Sequence, residues 1–236
     1  MRKPFRFKQF SIRDSNCAMK VGTDAVLLGC WVNIEISNHI LDIGTGSGII
    51  AMILAQRCNG FIDAVELDNG SFEDAKFNFE NCPWSERLKV YNLPFSEFIT
   101  NTKSKYDLVV CNPPYYNNCL KSPSEKVNVS RHTTSLTHNE LIDGTKELLK
   151  SSGKLSVILP TSEFQAFVDL AAIHQLFCTR KCIIFPKPDK PCNRVLAEFG
   201  LQRPVNIESS EITIRDRNEK YHHDYITLTK AFYINF

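Results

Sequence analysis

Leu41-Asp42-Ile43-Gly44-Thr45-Gly46-Ser47-Gly48 decides the reading of this chain. Ile40, Leu41 and Ile43 end an apolar strand. Ile49, Ile50, Met52, Ile53 and Leu54 continue as an apolar helix that closes at Arg57 and Asn59-Gly60. Glycines at every second position let the backbone turn sharply and lie flat against a ligand, where a Cβ would collide. A helix beginning near Ser47 adds free N–H groups and the positive end of its dipole. The spacing Gly44-x-Gly46-x-Gly48 differs from the dinucleotide fingerprint G-x-G-x-x-G.

A second strand, Phe61-Ile62-Asp63-Ala64-Val65, ends in Glu66. An acidic residue about 20 positions after such glycines takes ribose hydroxyls in nucleotide-binding αβ units. A solvated strand end is the plain alternative for Glu66. The tight spacing, with Asp42 ahead of it, suits S-adenosyl-L-methionine better than a pyrophosphate.

Composition limits the rest. The 236 residues suit one domain with additions, and 43% hydrophobic residues supply a core. A net charge of +2 permits nucleic acid without demanding it. Nine scattered cysteines, an odd number without a CxxC pair, argue against a disulfide framework or a zinc site. No apolar run approaches the ~20 residues of a membrane span. Met1-Arg2-Lys3-Pro4-Phe5 lacks a signal-peptide core. The expectation is a reduced, cytoplasmic monomer with no metal and no membrane partner.

Ahead of the glycine turn, alternation predicts a hairpin over residues 5–21. Its strands are Phe5–Ile12 and Ala18–Val21, with a turn at Asp14-Ser15-Asn16. Phe5 and Phe7 would share one face, Arg6 and Lys8 the other. Basic groups mixed with aromatics bind phosphates and stack bases, or simply form a solvated hairpin face. Gly22-Thr23-Asp24 caps a helix from Ala25 to Trp31. After Asp68 follow a helix from Ser71 to Asn81, a strand Leu88–Tyr91 and a short helix Phe95–Ile99. Asn92 and Leu93 fall at a strand's carboxyl end, where open αβ sheets bind ligands; a turn-forming Asn fits as well.

A fourth strand, Tyr106–Cys111, runs into Asn112-Pro113-Pro114-Tyr115. Beyond it lie a polar loop from Tyr116 to His132, a helix Thr137–Lys150, a strand Lys154–Leu159 and a helix Ser162–Leu176. Strands Thr179–Phe185 and Arg194–Leu201 form a hairpin around Pro186–Pro191, and the tail adds a short strand Glu211–Ile214 and a helix after Asp224. This order predicts an α/β fold, a mostly parallel seven-stranded sheet with helices on both faces plus a short N-terminal hairpin. All 236 residues form one domain: a hairpin over 5–21, a catalytic core over 39–201 and an extension over 202–236.

Asn112-Pro113-Pro114-Tyr115 carries the chemistry. Two prolines fix φ and leave rigid carbonyls, the Asn oxygen accepts hydrogen bonds, and the Tyr ring stacks on a planar group. An exocyclic amine on adenine is a poor nucleophile because its lone pair is delocalised into the ring. Two acceptors, the Asn112 side-chain oxygen and the Pro113 carbonyl, hold both N–H bonds out of plane and stabilise the developing charge. Without a nucleotide-binding half, the same four residues would be a tight turn and nothing more.

Gly44-Thr45-Gly46-Ser47-Gly48, Glu66 and Asn112-Pro113-Pro114-Tyr115 together resemble the Rossmann-like class I S-adenosylmethionine-dependent methyltransferases that modify amino groups. Phe7-Lys8-Gln9-Phe10, Met19-Lys20-Val21-Gly22-Thr23-Asp24 and Leu27-Leu28-Gly29 are similar to the start of the bacterial tRNA(Val) adenine-N6-methyltransferases. The resemblance implies methylation of the adenosine 3′ of the anticodon. It implies cofactor binding by Asp42, Gly44, Gly46, Gly48 and Glu66, with Thr23 near the donor, and amine recognition by Asn112 to Tyr115; Asn92, Leu93 and Asn112 are further cofactor candidates from their places at strand ends. Asn92 departs from the Asp often found there. For tRNA, Tyr115 and Arg131 are the candidate contacts, with Lys8 and Lys187 as further ones. Glutamine methyltransferases share the Asn-Pro-Pro-Tyr logic but carry a helical domain ahead of the glycines, and DNA adenine methyltransferases add a recognition domain. A non-catalytic RNA-binding module is the alternative from another class.

Overall fold

The computed structural model describes residues 3–17, 19–35, 37–114 and 136–236. Its first elements are two short strands, β1 (Phe5–Arg6) and β2 (Ser11–Ile12), paired antiparallel. The chain reverses at Phe7–Phe10, where Phe7 N–H donates to the Phe10 carbonyl at 2.9 Å. The expected reversal at Asp14–Asn16 and the strand up to Val21 are therefore corrected. Alternation misled because the Phe7 and Phe10 rings stack inward at 4.7 Å, both buried, while Phe5 stays exposed.

Helix α1 (Thr23–Trp31) leads to β3 (His39–Ile43) and α2 (Ile49–Arg57). Both helices are apolar around nearly their whole circumference, as befits elements enclosed in the core. Next come β4 (Phe61–Glu66), α3 (Asn69–Glu80), β5 (Leu88–Asn92), α4 (Phe95–Asn101) and β6 (Tyr106–Cys111). After the glycine turn and β6, α5 (His138–Leu148) opens with a full capping box: Thr137 accepts from Glu140 N–H, and Glu140 accepts from Thr137 N–H. Then follow β7 (Leu149–Pro160), α6 (Thr161–Ile173), β8 (Phe177–Phe185), β9 (Arg194–Gly200), β10 (Glu208–Thr213) and α7 (His223–Thr229).

The main sheet has the order β10-β8-β9-β7-β6-β3-β4-β5. Only β9 runs antiparallel to its neighbours, β7 and β8. The sheet holds eight strands rather than seven, because the tail strand extends back to Glu208 and pairs in parallel with β8 at the edge. Alternate residues of a strand enter opposite cores. Ile40, Leu108 and Val110 pack with α1 and α2 residues, whereas Leu41, Ile43, Val109 and Cys111 pack with residues of α4 and α5. The chain order reverses between β3 and β6. Ligands of open αβ sheets bind at such a switch point, beyond the strands' carboxyl ends.

Candidate active site

The glycine turn leaves β3 at this switch point with all three glycines at positive φ: +67° at Gly44, +59° at Gly46 and +83° at Gly48. Gly44 and Thr45 N–H donate to the Val65 carbonyl at 2.8 and 3.2 Å, which ties the turn to the end of β4. Glu66, the last residue of β4, continues the tie. One carboxylate oxygen accepts from Gly46 N–H and the other from Asp68 N–H, each at 2.8 Å. Burial raises the Glu66 pKa, and the two backbone N–H groups oppose that rise. Each oxygen keeps a second lone pair for another donor.

Beside this turn lies a cavity of about 750 Å³. Gly44, Gly46, Glu66 and Leu93 line it at one part, and Asn112 and Pro114 line it where β6 ends. A Cβ at Gly44 or Gly46 would stand in open space, so the bare backbone leaves room for a ligand there. Gly48 serves a different purpose. Its Cβ would lie 2.4 Å from the Phe79 ring of α3, so this glycine permits close helix packing and does not line the cavity.

Asp42 is likewise not a cavity residue. It is fully buried beneath the turn, where Thr45 Oγ1 donates to it at 2.6 Å and Ala51 N–H at 3.2 Å. Loss of water pushes its pKa up to about 7, against the lowering effect of those two hydrogen bonds. Its role is to fasten the turn to the start of α2. Asn92 also acts as a fastener, since its amide donates to the carbonyls of Glu66 and Leu67 at 3.0 and 3.2 Å, while its neighbour Leu93 reaches the cavity. Thr23 opens α1 without lining the cavity; Ala25, two residues on, does line it.

Asn112 is half-buried and Pro114 exposed at the cavity, while Pro113 is buried behind them. Tyr115 and Arg131 lie outside the described residues, as does the loop from Tyr116 to His132. Cys111, fully buried beside the motif, has its thiol pKa raised well above normal by burial and then by the nearby carboxylates of Asp42 and Glu66. It stays a neutral apolar filler. The two lysines named for RNA contact are engaged elsewhere. Lys8 Nζ donates to the carbonyls of Lys230 and Phe236 at 2.6 and 2.9 Å, and Lys187 pairs with Glu219.

Sequence reasoning missed part of the wall. Met19 and Lys20 line the cavity ahead of α1, and Asn139, Asp143 and Gly144 line it from α5. Nothing local in α5 marks that face, since its polar stripe reads like any solvated helix side. Asp68 was findable: two residues after Glu66, it caps α3 by accepting from Ser71 N–H at 2.8 Å, and it lines the cavity too. Among the described residues, no cluster of three or more His, Cys, Asp or Glu side chains could hold a metal ion, and no helix is long and apolar enough to cross a membrane.

The model of the methyltransferase small domain family matches residues 15–178. Proteins named tRNA1(Val) (adenine(37)-N6)-methyltransferase match almost end to end. The one from Trichodesmium erythraeum is 41% identical over 235 residues, 98% of each chain. The one from Flavobacterium psychrophilum is 42% identical over 235 residues, 98% of this chain and 99% of its own. The chain belongs to this methyltransferase family. Solved structures agree on the fold. A predicted O-methyltransferase of Agrobacterium tumefaciens superposes with a TM-score of 0.68 at 17% identity, covering 89% of this chain and 96% of that one. TrmK of M. capricolum, bound to S-adenosyl-homocysteine, gives 0.54 at 15% identity, with 81% and 71% covered. The methyltransferase small domain match ends inside β8, so it takes in the glycine turn, Glu66 and Asn112 and leaves the C-terminal strands outside.

Proposed function

We propose that this protein methylates the exocyclic N6 amine of an adenosine in tRNA, the one 3′ of the anticodon in a tRNA(Val), using S-adenosyl-L-methionine. One observation carries the reading. A single cavity joins a bare glycine turn and a strand-end carboxylate to the Asn112 end of β6. The near-full-length relatives support the substrate.

The site's residues fit a nucleoside-bearing sulfonium. Gly44 and Gly46 leave open space beside the cavity, and Glu66 offers lone pairs to ribose hydroxyls. Leu93 supplies an apolar surface for the adenine of the cofactor. When bound, S-adenosyl-L-methionine supplies an electrophilic methyl group on a positively charged sulfur. The protein's task is then to present the amine. The Asn112 side-chain oxygen and the Pro113 carbonyl accept its two N–H bonds, which bends the nitrogen toward the tetrahedral geometry of the transition state. The target nitrogen would gain the methyl group as the sulfur–methyl bond breaks and its electron pair stays on sulfur as a neutral thioether, and one proton of the nitrogen would then leave to water. No side-chain base is required, since the nitrogen becomes strongly acidic once it carries the methyl group.

Tyr115 is proposed to stack on a base splayed from the anticodon loop, and Arg131 to meet a phosphate. Residues 39–201 would form the catalytic core of a single domain, with 202–236 as a structural extension. To test the reading, purified protein is mixed with labelled S-adenosylmethionine and fractionated RNA and protein, and the methylated nucleosides are identified by mass. We expect N6-methyladenosine in tRNA, reduced at least about a hundredfold in Asn112→Ala, the scale of losing one transition-state acceptor. Label in protein glutamine, or an undiminished product from the variant, would overturn it.

A further inference from the structure

Two buried side chains of α3 hold the chain's N-terminal segment in place, and neither lines the cavity. Asp74 is 0% exposed, yet every one of its hydrogen-bond donors comes from residues 13–17. One oxygen accepts from Arg13 Nε at 2.6 Å and Asn16 Nδ2 at 3.1 Å; the other accepts from Asn16 N–H at 2.7 Å and from the Cys17 thiol at 3.6 Å. A buried carboxylate is costly unless its lone pairs are met, and here one short segment meets them all.

Asn78 lies one turn further along the same helix face. Its Oδ1 accepts from Arg13 N–H at 2.8 Å, while its Nδ2 donates to the carbonyls of Arg13 and Ser47, each at 2.8 Å. One side chain thus bridges the N-terminal segment and the glycine turn. The segment then folds on itself: Lys20 Nζ donates to the Asp14 and Cys17 carbonyls at 2.6 and 2.9 Å, and Asp14 accepts from Val21 N–H at 3.2 Å. Lys20 and Met19 emerge from this knot as cavity wall.

We propose that Asp74 and Asn78 are positioning residues for S-adenosyl-L-methionine, acting as a latch that locks the segment bearing Met19 and Lys20 to the glycine turn. The proposal rests on the reading that this cavity takes the methyl donor. With the latch made, the wall is ordered before binding. Without it, that ordering cost falls on the binding step and weakens affinity. The Asn112 end of β6 is untouched, so the chemical step keeps its rate.

The test compares wild type with Asn78→Ala, Asp74→Asn and Arg13→Met. Arg13 is partly exposed and meets α3 from outside, over the Phe77 ring and at the Glu73 carbonyl, so the last variant keeps the buried α3 side chains in place if the buried variants fail to fold. Calorimetry gives Kd for S-adenosylmethionine, and steady-state assays with tRNA give kcat and both KM values. For folded variants we expect Kd and KM for S-adenosylmethionine to rise about tenfold, with kcat within about twofold and KM for tRNA unchanged. Unchanged Kd in a folded variant would overturn the latch, as would a fall in kcat with KM for S-adenosylmethionine unaltered. Wild type that binds S-adenosylmethionine but does not methylate tRNA would remove the substrate reading alone, since calorimetry still decides the latch. Wild type that binds no S-adenosylmethionine would overturn both.

Discussion

Asp42 shows how one residue type serves two purposes around a ligand. It and Glu66 are both carboxylates near the glycine turn, but Glu66 lines the cavity and Asp42 is sealed beneath it. Burial raises the Asp42 pKa from 3.8 to about 7, so the folded state holds a proton that the unfolded chain releases earlier. The contribution of this group to stability is full below about pH 4 and is lost as pH rises through about 7. Wild type minus Asp42→Asn, measured by denaturant unfolding, should slope downward between these limits, by at most about 1.4 kcal/mol per pH unit. A flat difference curve would mean that Asp42 is ionised in the fold. The sequence placed Asp42 beside the turn but could not show which side of it the carboxyl faced.

At the scale of elements, the glycine turn is held by three partners: β4 through the Val65 carbonyl, α2 through Asp42, and α3 through the Gly48–Phe79 contact. Two substitutions in one turn should therefore behave differently. Gly46→Ala places a methyl group in open space at φ +59°, at a cost of about 1–2 kcal/mol in stability. Its larger effect should be weakened S-adenosylmethionine binding, read by calorimetry. Gly48→Ala drives a Cβ into the Phe79 ring at φ +83°, and should lose about 1–3 kcal/mol from overpacking in addition to the strain. Thermal unfolding and binding measured on both variants would separate ligand room from packing room. Equal losses of affinity at equal stability would erase the distinction.

Across the whole molecule, the two ends of the chain meet. Phe7 lies 5.5 Å from Tyr233, and the Tyr225 and Tyr233 hydroxyls share a hydrogen bond of 3.1 Å. Lys8 spans the same junction with its backbone N–H on the Phe232 carbonyl at 2.8 Å. Tyr225 and Phe232 belong to the core cluster that contains Val26 and Ile53, so the C-terminal extension is part of the fold's interior. Tyr225→Ala should cost about 3–5 kcal/mol and lower Tm, with KM values of the folded fraction unchanged. A stable variant with altered tRNA KM would instead give the extension a direct part in RNA binding.

What the sequence determined by itself was the local material. Alternating strands and apolar helices marked the sheet's parallel core, and the glycine spacing, Glu66 and Asn112-Pro113-Pro114 singled out residues of which Gly44, Gly46, Glu66, Asn112 and Pro114 line one cavity, because each is written in neighbouring residues. What only the tertiary structure decided depends on partners far apart in the chain. The hairpin turned at Phe7–Phe10 because its aromatics pack on the tail, some 220 residues away. Lys8 was drawn to the same tail and Lys187 to Glu219, so neither is left as a free cation. Asp14-Ser15-Asn16 was read as a turn, yet Asn16, with Arg13 and Cys17, satisfies a buried carboxylate on α3. Charge and turn propensity are local properties; which buried group a charge must satisfy is fixed only when the elements pack.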